Sequence, residues 1–113
     1  MTVSILKEKV QQAEILVFSE VIDTIDTYYS FTPTSFTNGE LTNDAGTNNG
    51  SCKVFSFAKE QSLDVSETLF LFGEHYQKVL QTPNDDDHQN IRNFIKFGWE
   101  GISFSGNALE LKK

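Results

Sequence analysis

The sequence predicts an α+β fold: a compact single domain over residues 1–113, mainly helical with four to five helices, and a small antiparallel β element. Apolar residues recur at helical spacing through residues 4–29 and again through 65–97. Between and after those stretches, Phe31 to Thr37 is rich in Thr and aromatics, and Trp99 to Leu109 alternates with period two. Finally, 113 residues is the usual size of one domain, and ten Phe, three Tyr and one Trp supply a large area to bury.

Each element has its own signal. Leu6 and Val10, then Phe18, Val21, Ile22, Ile25 and Tyr29, mark one helical face, with Asp23 and Asp26 opposite. Ala13-Glu14-Ile15 interrupts the run, giving a short first helix and a longer second one. Pro33 cannot sit inside a helix, so Thr34 to Thr37 is expected to be extended. Asn38-Gly39 is a tight-turn signal, because both residues tolerate positive φ. A polar interval without hydrophobic period then runs to Lys53. Ser51 to Gln61 reads as a helix with Ser51 as its N-cap, and a strand is the rival reading. Asp64-Val-Ser-Glu67 has the form of a capping box and opens a helix with Leu69, Phe72, Tyr76 and Val79 on its apolar face. Gly73 shares that face, where a missing side chain admits a close neighbour, and Thr82-Pro83 ends the helix. Another amphipathic helix follows Asp85-Asp86-Asp87 and closes at Gly98. The tail predicts a hairpin turning at Ser105-Gly106-Asn107, beside which Thr34 to Thr37 is able to pair.

Composition excludes several function classes. A net charge of −7, with nine scattered basic residues, opposes nucleic acid, which needs a basic stripe to displace counterions. No window approaches the roughly 18 apolar residues of a membrane span, and Lys7, Glu8 and Lys9 break up any signal-peptide core. The expectation is a soluble protein outside the standard secretory route. One Cys gives no internal disulfide and no paired-thiol metal motif. No cofactor is expected, and a monomer and a dimer are equally compatible with this composition.

Asn38 to Lys53 is the predicted working surface, since long polar intervals inside small domains usually serve a function. If a helix starts at Ser51, Cys52 lies in its first turn, where free amides and the helix dipole lower a thiol pKa. As a nucleophile it needs a base, and only His75 and His88 exist. His88, beside Asp87 and Asn90, is the better placed. The plainer reading is a buried Cys and a structural His. Asp85, Asp86, Asp87, His88, Glu74 and His75 lack calcium-loop or helix-borne zinc spacing, so no metal site is expected. A third reading makes Asn38, Asn43, Asn48, Asn49, Gly50, Ser51, Lys53, Asn90 and Arg92 a binding surface of amides and charge, against the alternative that the Asn and Gly residues only serve turns.

Phe31 to Gly39, Asn43 to Lys53, Thr68 to Gly73, Asp87 to Phe94 and Gly98 to Ile102 together resemble the HopJ type III effector family over essentially the whole chain. The resemblance implies a small bacterial protein of the cytoplasm, or one delivered into host cells by type III secretion to meet a host protein. It implies no chemistry. Relatives place a Cys near position 71, where this chain has Leu71, so a second thiol belongs to no mechanism here. The expected function is an interaction protein; the alternative is a cysteine-dependent hydrolase or transferase using Cys52 and His88.

Overall fold

Phe55 is the point on which the interior converges. Its ring lies 5.9 Å from that of Phe36, 5.3 Å from Phe72, 4.9 Å from Phe94 and 6.4 Å from Trp99, mostly edge to face or tilted. The computed structural model describes residues 1–112. Its helices are α1 (Val3–Gln11), α2 (Phe18–Tyr28), α3 (Asn49–Glu60), α4 (Val65–Phe70), α5 (Glu74–Gln81) and α6 (Gln89–Phe97), with a 3-10 turn at Gly98–Gly101. Its strands are β1 (Tyr29–Phe31), β2 (Phe36–Asn38), β3 (Leu41–Asn43), β4 (Ile102–Phe104) and β5 (Leu109–Leu111). One cluster of buried residues joins all the helices to the strands, so the α+β expectation of a single domain holds.

Helices α1 and α2 break where the sequence suggested, with Ala13 at positive φ. The Asp64/Glu67 capping box forms in full, the Asp64 carboxylate accepting from the Glu67 amide at 2.8 Å and Glu67 from the Asp64 amide at 2.9 Å. The single helix expected after it is two, which takes the count to six. The break is at Gly73, whose φ of +56° puts its α-carbon against the backbone entering α2. A β-carbon there would lie 2.6 Å from the Leu16 carbonyl oxygen and 2.7 Å from the Phe18 nitrogen. Close approach and backbone conformation both select glycine.

The polar interval from Asn38 to Lys53 is mostly regular structure. Asn38 pairs with Leu41 around a Gly39-Glu40 turn, making a β2–β3 hairpin inside what read as loop. The same interval ends in α3, which starts two residues before Ser51, so Asn48 occupies the cap position and Ser51 the first turn. The tail hairpin does not form. Strand β4 pairs antiparallel with β2, Phe36 opposite Phe104, and β5 pairs with β1, Tyr29 opposite Leu111. Between the two ladders the Thr32 amide donates to the Ala108 carbonyl and the Ser105 amide to the Ser35 carbonyl. Residues 28–39 and 101–112 thus run side by side as one interrupted antiparallel ribbon. The expected pairing of the Thr34 to Thr37 segment with the tail is present, and the tail's period-two pattern was a real strand signal with a different partner.

Candidate functional site

Three helices begin around one cleft of about 570 Å³. The first turn of α3 contributes Asn48, Gly50 and Ser51, the start of α5 contributes His75, and the start of α6 contributes His88, Gln89, Asn90 and Ile91. Phe18, Leu41 and Phe72 complete an apolar floor. Asn48 and His88 both take left-handed backbone at their caps, and neither side chain caps its own helix. The unbonded first-turn amides therefore give this end of the molecule positive polarity.

The amides of the polar interval turn inward. Asn38, Asn43 and Asn90 are all buried. Asn43 and Asn90 exchange reciprocal side-chain hydrogen bonds, 3.1 Å from Asn43 Nδ2 to Asn90 Oδ1 and 2.9 Å from Asn90 Nδ2 to Asn43 Oδ1. Asn38 Nδ2 donates to Asn90 Oδ1 at 3.1 Å and to the Asn90 carbonyl at 2.7 Å, while Asn48 Nδ2 donates to Asn43 Oδ1 at 2.7 Å. Asn93 adds a bond to the Asn38 carbonyl. This net fastens the β2–β3 hairpin to the beginnings of α3 and α6, so Asn38 and Asn43 shape the cleft from behind its wall. Asn49 is exposed beside the cleft.

The nucleophile reading meets three physical objections. Cys52 is 1% exposed, and burial pushes its thiol pKa up rather than down. Its Sγ donates to the Thr34 carbonyl at 3.5 Å, and its amide is already bonded to the Asn48 carbonyl at 3.0 Å, which removes it as an oxyanion donor. Cys52 is also missing from the cleft lining that holds His88. The two remaining basic candidates are committed elsewhere. Lys53 pairs with Asp26 at 2.8 Å and lies over the Phe31 ring, and Arg92 bonds Asp87 at 2.7 Å and the Thr82 carbonyl at 2.7 Å. Asp87 serves Arg92 and Lys78, whose hydrogen bonds hold its carboxyl down to about 2. Among the described residues, no three His, Cys, Asp or Glu side chains gather as a metal-binding group.

His75, which the sequence offered only as the lesser of two bases and as a candidate metal ligand, lines the cleft beside His88. Its ring centroid is 5.0 Å from that of His88, and it packs in a T-shaped arrangement with Phe18 at 4.9 Å. Burial, then the neighbouring His75 charge, lowers the pKa of His88, while Asp87, 3.9 Å from its Nε2, pulls the other way. The helix break at Gly73 is what brings His75 to the start of a helix and into the cleft. On an unbroken helix nothing in the spacing would pair it with His88. Adjacent to it, Glu74 accepts a hydrogen bond from the Phe18 amide at 2.7 Å and so caps α2 from another element. From the predicted set, the structure gathers Asn48, Gly50, Ser51, His88 and Asn90 on one lining and leaves Asn38, Asn43, Asn49, Cys52, Lys53, Asp87 and Arg92 outside it.

Among solved structures, the chain is similar to the crystal structure of VPA0580, a protein of unknown function. The two share 43% sequence identity with a TM-score of 0.94, over 99% of this chain and 95% of that one. No curated protein matches. The family model described as HopJ type III effector protein matches residues 3–109, which takes in the cleft, the asparagine net and the β2–β3–β4 sheet. The chain belongs to the HopJ type III effector protein family.

Proposed function

We propose that this protein acts by binding, holding a short segment of a protein partner in the cleft where α3, α5 and α6 begin. One observation carries the reading. The chain has 16 acidic residues and a net charge of −7, yet the cleft lining contains no carboxylate. In their place it offers imidazoles, amides and open helix starts around an apolar floor. That mixture suits a segment that pairs an apolar side chain with an acidic or amide group. HopJ family membership supports an effector-like role on a protein target, and host delivery by type III secretion is part of the same proposal.

Selection of peptides displayed on phage against the folded protein tests the reading. Peptides recovered on the wild type are expected to bind Ser51→Trp, which fills the cleft, at least about tenfold more weakly, a loss of roughly 1.4 kcal/mol. They should bind Asn107→Trp, in a separate cleft between α3 and the last strand, as they bind the wild type. Equal binding to both variants, or no enrichment at all, removes the cleft as the binding surface.

A further inference from the structure

We propose that His75 and His88 form an acid-sensitive latch: while His88 is uncharged the paired rings hold the starts of α5 and α6 together across the cleft, and proton uptake by His88 drives these starts apart and widens it. The geometry is specific. The two rings lie 5.0 Å apart and tilted by 37°, with Phe18 packed edge to face with His75 at 4.9 Å. Each ring stands at the positive end of a helix, His75 as the second residue of α5 and His88 as the cap of α6. A cation is unwelcome at the start of a helix, and a second positive charge facing it more so. His88 has no compensating bond to its own helix, and its backbone sits in the left-handed region at φ +52°.

The surrounding charges favour the same direction. From α5, Lys78 faces His88 with like charge, and Arg92 does so from α6. Asp87, in the connection before α6, opposes them at His88, and its carboxylate is already shared by Arg92 at 2.7 Å and Lys78 at 3.0 Å. Glu74, next to His75, accepts from the Phe18 amide and keeps its negative charge on the α2 side of the pair, away from the α6 start. The α3 side of the cleft brings no titratable group, only Asn48, Gly50 and Ser51 with their positive helix end. A proton arriving on His88 therefore finds little to neutralise it. A unit charge at the 5.0 Å ring spacing weakens proton binding at the other ring about fourfold even with the dielectric constant of water.

The functional meaning rests on the cleft being a binding surface, but the latch itself is measurable without any partner. Nuclear magnetic resonance titration from pH 8 to pH 4.5 would follow the His88 ring together with the amides of Gln89, Asn90, Gly50 and Ser51 in wild type, His75→Gln and His88→Gln. The expected result has three parts. The amides of Gln89 and Asn90 shift with the midpoint of His88 in the wild type, that step disappears in His88→Gln, and His88 binds its proton about fourfold more readily in His75→Gln. An amide midpoint unrelated to His88, a step that survives in His88→Gln, or an unchanged His88 midpoint in His75→Gln overturns the latch. If either variant folds poorly, the comparison of midpoints within the wild type decides alone. Failure of the peptide selection with these results intact would fault the binding reading and not the latch.

Discussion

Truncating Asn90 to alanine is the most direct probe of what builds the site. Its side chain donates to Asn43 Oδ1 at 2.9 Å and accepts from Asn43 Nδ2 and Asn38 Nδ2, each at 3.1 Å. After Asn90→Ala, Asn38 Nδ2 keeps the backbone carbonyl of residue 90, but Asn43 Nδ2 loses its acceptor inside the protein. One stranded buried donor costs about 1–3 kcal/mol, and the other lost bonds put the sum at about 2–3 kcal/mol. For a chain of this size that is a fall of roughly 10 °C in Tm. Urea and thermal unfolding of Asn90→Ala, Asn43→Ala and the double variant form a cycle. Because each single change strands the other's partner atoms and the double change removes both sets, the double variant should cost at least about 1 kcal/mol less than the sum. Additive costs, or an Asn90→Ala cost under about 0.5 kcal/mol, would show that the net is not a coupled unit.

Three other outcomes follow from the same geometry. His88 has a folded pKa below the ordinary 6.5, so the unfolded chain takes up its proton first. Its contribution to stability is present above pH 6.5 and lost as pH falls from there through the lower folded pKa, and the Tm difference between wild type and His88→Gln should narrow or reverse over that window. Alkylation of Cys52 in the folded protein should be at least about tenfold slower than in the urea-unfolded chain and indifferent to His88→Ala, whereas a rate that drops with His88→Ala would restore the catalytic pair. Gly73→Ala should destabilise by about 3 kcal/mol, combining positive-φ strain with displacement of the Leu16 carbonyl; a change under about 1 kcal/mol in chemical denaturation would mean that the α4–α5 break does not depend on it.

The local signals in the sequence were read well where one segment decides its own structure. The Asp64/Glu67 box, the break near Ala13, the stop at Thr82-Pro83 and the reversal at Gly39, one residue later than the Asn-Gly signal placed it, are all chemistry within a few residues. What was missed depends on partners far away in the chain. Gly73 breaks a helix because residues 16–18 pass against it, and the tail prefers residues 29–38 to itself because Phe36 and Phe104 stack at 5.3 Å. The asparagines looked like a surface because asparagine usually is one; only the closure of Asn38, Asn43 and Asn90 on one another makes their burial affordable. His75 was visible as a histidine but not as a neighbour of His88, since that pairing exists only after the helix has broken.

The ribbon of residues 28–39 against 101–112 also bears on how the chain is made. When β2 emerges from the ribosome, β3 follows at once and covers one edge. Its other partner, β4, is roughly 65 residues away, which at about 5–20 residues per second leaves that edge bare for several seconds. During that interval the nascent chain exposes Phe36, later 2% exposed, along an open strand. Synthesis rate and chaperone supply should therefore govern the yield of this protein more than the final stability of its core does.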